Sequence, residues 1–290
     1  MQRRDFVRGT LCAGGALATL GLSATYPPLK ISVLSYAFHG LLREGKMNIF
    51  GFMETCKYRY GLHVADLWNG FLENTDEDYL RKVRSELDAR ELGVASLAVD
   101  RAHVWDSDAD IRAGNYARAR ANLNAARILG APFVRIDAGG RGDAWTEEAF
   151  DHIVMRFREY ARYAHDHGFK VGAENHWGPE KAWPNLRRLY EAVDHEAFGL
   201  SCHIGAWEGD EEDNRIADRE SAPWVCHTHI DWSICTGPLL TEKLANLWRV
   251  GYEGYYSVEH HTGKNEYAEV AIQLALVRST LERFRTDEPE

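Results

Sequence analysis

One unit recurs along this chain: a helical run, a glycine, one to three more residues, then a short run rich in Val, Ile, Tyr, Phe or Leu. It occurs at Gly61, Gly93, Gly130, Gly168 and Gly251. A glycine after a helix supplies the left-handed residue that caps its C-terminus at little steric cost. Repeated helix–turn–strand units are the sequence form of βα architecture. Strands are predicted at 31–36, 63–68, 95–100, 133–138, 170–176, 199–203, 225–231 and 255–260. Helices are predicted at 48–60, 76–91, 111–129, 147–167, 183–193, 211–220, 242–250 and 266–285. Thr75, Thr146 and Thr241 each precede acidic residues, as N-caps do. The weakest helix lies in 208–219, a polar, acidic stretch that also suits a loop.

Eight strands alternating with eight helices allow an open doubly wound sheet or a closed barrel. The open sheet wants a glycine-rich phosphate turn after its first strand. Here that strand runs into Ser35-Tyr36-Ala37-Phe38-His39-Gly40, with no GxGxxG. The count of eight predicts a single (β/α)8 TIM barrel. With 45% hydrophobic residues in 290, the chain can bury one large core, and no composition break marks a second domain.

The first residues read as a targeting segment. Arg3-Arg4-Asp5-Phe6-Val7 precedes a weakly apolar run from Thr10 to about Leu22, with small residues near Ala24. The Arg-Arg-x-Phe-Val core resembles a twin-arginine signal. The expected division is a signal segment at 1–24 and a barrel at 25–290, with export to the periplasm. Twin-arginine export carries folded proteins, which suits a protein that takes up a metal first. The apolar run is too short and too rich in Gly and Ala for a convincing membrane span.

The net charge of −10 repels nucleic-acid phosphates, and no basic stripe offsets it. The expected partner is a small neutral or metal-chelating molecule rather than nucleic acid or a membrane; assembly into a homo-oligomer is compatible with this composition. Cys12 lies in the signal, while Cys56, Cys202, Cys226 and Cys235 lack CxxC spacing. They read as buried free thiols, with Cys202 and Cys226 on neighbouring strands.

In a TIM barrel, chemistry sits at the C-terminal strand ends. There the chain carries Glu174-Asn175-His176-Trp177, then Cys202-His203, then His227-Thr228-His229-Ile230-Asp231, then Glu259-His260-His261. Buried carboxylates and imidazoles need partners. One metal ion accounts for four such ends at once, because it neutralises carboxylates and accepts imidazole nitrogens. Period-two alternation turns Glu174, His176, His203, His227, His229, Asp231 and Glu259 inward. Trp68, Trp177, Trp207 and Trp232 fall at or just after strand ends, where they suggest a surface for stacking sugar rings. Arg135 and Asp137 on the fourth strand alternate inward as contacts for ligand hydroxyls, and His176, His227, Asp231, His39 and His103 join them as substrate-binding candidates.

The segments GAENHWG (172–178), HTHID (227–231) and YYSVEHH (255–261) carry a resemblance. The chain resembles the xylose-isomerase-like, or sugar phosphate isomerase/epimerase, superfamily of metal-dependent TIM barrels, over roughly 31–285. The resemblance implies one divalent ion (Mn, Zn, Co or Mg) on Glu174, His229 and Glu259. It places His203 where the family usually has Asp, and Ala206 where it has a later polar residue. A His2Glu2 set carries one less negative charge and would leave the ion a stronger Lewis acid. The resemblance further implies an acid/base pair, Glu174 and Glu259, acting next to a carbonyl of a sugar or keto-sugar. Isomerisation, epimerisation and β-elimination of a 3-keto-glycoside share that first proton removal. Export and the lack of a phosphate cradle favour a keto-sugar or keto-glycoside over a sugar phosphate. An endonuclease IV-like phosphodiesterase shares the barrel but needs more ligands than Ala206 leaves. A sugar-binding barrel without catalysis would not need both Glu residues.

Overall fold

The computed structural model describes residues 28–286; the expected signal segment at 1–24 lies outside them. Eight parallel strands run in chain order: β1 (Ile31–Val33), β2 (Val64–Trp68), β3 (Gly93–Val99), β4 (Phe133–Ile136), β5 (Lys170–Glu174), β6 (Phe198–His203), β7 (Val225–Ile230) and β8 (Tyr256–Val258). Each pairs with its chain neighbour, and β8 pairs with β1. A parallel bridge from Leu34 to Asp66 joins β1 to β2 and completes the ring. The fold is the single (β/α)8 barrel that the repeat predicted.

The helices are α1 (His39–Arg43), α2 (Ile49–Glu54), α3 (Glu77–Ala89), α4 (Ala109–Leu129), α5 (Glu147–Asp166), α6 (Trp183–Val193), α7 (Glu211–Ser221), α8 (Trp232–Thr236), α9 (Leu240–Arg249) and α10 (Glu266–Thr286). Among the described residues no helix is long and apolar enough to cross a membrane. The barrel helices bury one stripe against the strands. On α5, Phe150, Ile153, Val154, Phe157, Ala161 and Ala164 recur at three- and four-residue spacing.

Several local expectations shift. The helix expected at 48–60 is α2 followed by a π-helical turn at Thr55–Arg59. Thr146 caps α5 by accepting from Ala149 N. Asp76, not Thr75, is the N-cap residue of α3, and Thr241 lies inside α9. Gly93 opens β3, and the left-handed residue before it is Glu91, with φ 53°. The weak segment is a helix. Asp210 and Asp213 form a reciprocal capping box at its start, and buried Asp218 accepts from Lys243 Nζ (3.0 Å) and Trp207 Nε1 (2.8 Å). Polar anchoring thus replaces the apolar stripe that the sequence lacks there. The four cysteines among the described residues are free; Cys202 pairs across β6–β7 with Thr228, not Cys226.

Two features of the strands position the site. The β6–β7 register shifts between Leu200 and Ser201, so that β7 carries an extra residue at Cys226. Above the bulge His203 lies opposite His229. On β5, a Cβ at Gly172 would collide with the Gly199 carbonyl and come within 3.2 Å of the Phe133 ring. Glycine here lets Phe133 occupy the barrel interior, where it stacks beneath His227 at a ring-centroid distance of 6.3 Å.

Candidate active site

Four side chains from consecutive strands converge at the C-terminal mouth. Glu174 ends β5, His203 ends β6, His229 is the penultimate residue of β7, and Glu259 follows β8. His229 Nδ1 lies 2.5 Å from Glu174 Oε1 and 3.8 Å from Glu259 Oε2. His203 Nδ1 lies 3.9 Å from each of the same two oxygens. All four are buried.

The two carboxylates are held differently. Glu174 is 1% exposed, accepts from His229 Nδ1 and from Ser201 Oγ at 3.1 Å, and forms an ion pair with the Arg135 guanidinium, whose Nε lies 3.1 Å away. Burial raises its carboxyl, but the charges of His229 and Arg135 outweigh this and hold it well below the usual carboxylate range. Glu259 Oε2 is buried and has no hydrogen-bond partner among the described residues. A buried carboxylate oxygen without a donor is costly unless a cation meets it.

His203 faces two ways. Its Nδ1 points toward Glu174 and Glu259, and its Nε2 is 2.8 Å from Asp231 Oδ1. Burial pushes the imidazole down, but the Asp231 hydrogen bond and the charges of Glu259, Asp231 and Glu174 prevail and raise it to about 9. Asp231 also takes His261 Nε2 at 2.9 Å. Asp231, expected to hold substrate, bridges these two rings, and it shares with His203, Glu259 and His261 a second group of donors within mutual reach.

Arg135 is likewise placed otherwise than expected. It is 3% exposed and its guanidinium meets Asp100 (2.9 Å), Asp137 (3.0 Å) and Glu174 (3.1 Å). Three carboxylates take up its charge, so it is a countercharge behind the site rather than a contact for ligand hydroxyls. The same carboxylates brace the rim. Trp68 Nε1 donates to Asp100 (2.7 Å), and Trp177 Nε1 donates to Asp137 (3.1 Å). His176 Nδ1 lies 3.4 Å from Asp137 and 4.0 Å from Glu174 Oε2, half-buried at the mouth.

His227 is 0% exposed and lies one layer down, with Nε2 2.7 Å from Asp66 Oδ2. Asp66 also accepts from Ser257 Oγ (2.5 Å) and Ser96 Oγ (2.6 Å). This layer seals the floor and removes His227 from reach of a ligand in the mouth. His260 is buried against Glu269. Trp207 packs on Trp183 and bonds Asp218, which turns it away from the mouth, and Trp232 stands 6.4 Å from His260. At the rim, His39 stacks on Tyr36 at 4.5 Å, and His103 meets the edge of Trp177 at 5.4 Å. Asp66, Asp100, Tyr36, Trp105 and Ser201 were not anticipated. Asp66 had a signal, an acid inside the apolar run Val64-Ala65-Asp66-Leu67-Trp68.

A cavity of about 690 Å³ opens at the opposite end, beside Lys30, Phe133, Lys170 and Val225. It lies at the N-terminal strand ends, where a barrel's conserved groups serve stability rather than chemistry.

A family model described as a xylose isomerase-like TIM barrel matches residues 58–280. The chain belongs to that family. Solved structures agree in fold. A 3-keto-D-glucoside 4-epimerase from E. coli superposes with TM-score 0.71 at 16% identity, covering 87% of this chain and 100% of that one. D-Psicose 3-epimerase from Clostridium cellulolyticum H10, solved with D-tagatose, gives 0.68 at 12%, covering 89% and 99%. A xylose isomerase-like protein from Mycobacterium smegmatis, in complex with magnesium, gives 0.67 at 16%, covering 87% and 98%. A pyridoxine 5'-phosphate synthase from Pseudoalteromonas translucida (strain TAC 125) is 34% identical over 88 residues, 29% of this chain and 36% of that protein. This chain thus matches little more than a third of that relative's length.

Proposed function

We propose that this protein is a divalent-metal-dependent enzyme of the isomerase/epimerase kind, removing a proton next to a carbonyl of a sugar or keto-sugar. One observation carries the reading. Glu174, His203 and His229 bring ligand atoms within mutual reach, Glu259 faces the same two imidazoles from the next strand end, and Glu259 Oε2 has no donor among the described residues. Ligands bound at about 2.0–2.3 Å lie no more than about 4.6 Å apart, and the separations of 3.8 and 3.9 Å fit that limit. The 2.5 Å contact from His229 to Glu174 is a hydrogen bond, whose proton must leave before an ion takes both atoms. Glu174, His203, His229 and Glu259 would hold the ion; the two imidazoles suit Zn, and the two carboxylates suit Mn and Mg. When bound, it supplies Lewis-acid polarisation of a carbonyl oxygen.

The protein's own groups divide the remaining work. Glu259, unburdened by donors, takes the proton from the carbon beside the carbonyl. Glu174, kept ionised by Arg135, stands opposite as a second and weaker base. Asp231 fixes the ring of His203, as a carboxylate behind a ligating imidazole does. His176 reaches the mouth and suits a ligand hydroxyl. The epimerases that share this fold act on a keto-glucoside and on psicose by their names, which supports a keto-sugar as the substrate class.

Exchange of substrate C–H for solvent deuterium tests this reading. Metal-loaded protein with free keto-sugars and 3-keto-glycosides in deuterated water is expected to label the carbon next to the carbonyl. The product then separates isomerisation, epimerisation and β-elimination. No label with any sugar and any of Mn, Zn, Co and Mg would leave a sugar-binding barrel without catalysis.

We also propose that the enzyme works outside the cytoplasm, on the strength of Arg3, Arg4 and the apolar run to Leu22. Replacing both arginines by Lys is expected to hold the precursor in the cytoplasm. Undiminished export of that variant would remove the compartment argument and restore sugar phosphates as candidates.

A further inference from the structure

Beside the four-residue centre lies a second cleft, of about 290 Å³, lined by His103, Trp105, Asp106, Gly140, Arg141 and Trp177. We propose that it binds the second, non-reacting ring of a glycoside, so that the substrate is a keto-glycoside rather than a free keto-sugar. The proposal rests on the reading of the centre given above and names its substrate class.

The cleft adjoins the centre through shared groups. Asp137 Oδ2 takes both Trp177 Nε1 and Arg135 Nη1, while Arg135 Nε meets Glu174. Trp177 follows directly on His176, which lies 4.0 Å from Glu174. A ligand spanning from Glu174 past His176 arrives against Trp177.

The cleft is a built feature. Beyond the ends of β3 and β4, Val104 N donates to Asp137 O (3.0 Å), Trp105 N to Ala138 O (2.8 Å) and Gly140 N to Trp105 O (3.2 Å). This prolongs the β3–β4 pairing into the rim. Gly139 and Gly140 have φ of 82° and 96°; a Cβ at Gly139 would collide with the Trp105 carbonyl, and one at Gly140 would come within 2.8 Å of the Trp145 ring. The Trp105 ring is clamped by the Arg112 guanidinium, 4.7 Å from its centre, and by the His152 ring at 5.4 Å. Rings held this way lose little freedom when a ligand stacks on them.

The chemistry of the lining selects a neutral polyhydroxylated ring. Two indoles line the cleft, and an indole suits the C–H side of a sugar. Asp106 offers acceptors, and Arg141 and His103 offer donors, so charges of both signs meet there. His103 Nε2 already lies 3.4 Å from Asp106, which engages that ring nitrogen. A sugar phosphate would face the Asp106 carboxylate. At about 290 Å³ the space sits at the low end of small-molecule pockets, room for one ring and not a chain of them.

Two measurements test this. The first is saturation-transfer NMR with methyl β-D-glucopyranoside, in EDTA so that no ion takes part. Transfer is expected with the unaltered protein and a marked loss with Trp105→Ala; Trp177→Phe, which keeps a flat ring, should lose less. The second compares kcat/KM for a 3-keto-glycoside with that for the free 3-keto-sugar, read by deuterium uptake. The glycoside is expected to be favoured, and Trp105→Ala should reduce that preference about tenfold, the scale of one aromatic stacking contact. Equal use of both sugars, or an equal loss on both in Trp105→Ala, would overturn the subsite while leaving the function of the centre intact. Saturation transfer from glucose 6-phosphate exceeding that from the glucoside would also overturn it. Absence of uptake with every sugar would instead refute the reading of the centre.

Discussion

Glu259→Gln, loaded with metal, is expected to lose about 10²–10⁴-fold in turnover, the usual scale of general acid–base catalysis. The substitution keeps the size and one carbonyl oxygen but removes the basic oxygen. Glu259 Oε2 is the buried carboxylate atom at the centre with no donor, so no neighbour compensates for its loss. Glu174→Gln is expected to cost less in the proton step and more in metal retention. The Glu174 carboxylate already meets Arg135, Ser201 and His229, and without its charge Arg135 faces only Asp100 and Asp137. Metal content measured on each variant separates the two effects. Near-normal turnover in metal-replete Glu259→Gln would move the base to His176 or Glu174.

Removal of the ion is expected to abolish deuterium uptake, and re-addition to restore it. His203→Ala and His229→Ala should bring bound metal from one ion per chain to nearly none, since each removes a nitrogen donor facing both carboxylates. Asp231→Asn should give a graded result. It leaves all four donors in place but weakens the hydrogen bond that orients His203, so affinity should fall about 10–100-fold, the range for groups that position metal ligands. Elemental analysis and competition with a chelator measure both. Full metal content in His203→Ala would place the ion elsewhere, with Asp66, His227 and His229, or Asp137, Glu174 and His176, as the groups of donors within mutual reach that do not need His203.

The eight-fold strand–helix alternation and four of the polar strand ends were legible in the sequence alone. Both rest on local rules. A glycine after a helix and a run of β-formers announce a strand wherever the strand goes, and a period of two decides which residues share its face. Hence Glu174, His203, His229 and Glu259 were assigned to the barrel mouth without knowing any distance between them. The strand ends were read one to three residues long at 31–36, 133–138, 170–176 and 255–260, where Leu34-Ser35-Tyr36, Asp137-Ala138, Asn175-His176 and Glu259-His260 carry the chain on past the last strand residues into the rim.

The tertiary structure alone decided which polar residues were partners and which were free. Asp66 and His227 are 161 residues apart, on strands that do not pair, and meet only because the barrel closes. That contact turns His227 from a ligand-facing residue into part of the floor. Arg135 lost its expected role for the same reason: Asp100, Asp137 and Glu174 reach it from three different strand ends. Trp207 turned toward Asp218, and Trp105 entered the rim through pairing beyond the ends of β3 and β4. Alternation along a strand assigns a side chain to a face, but ring closure sets what lies across from it. The free energy of a buried charge depends on that opposite neighbour, so it was the closed barrel that left Glu259 Oε2 without a donor among the described residues and gave Glu174 two donors and the Arg135 ion pair.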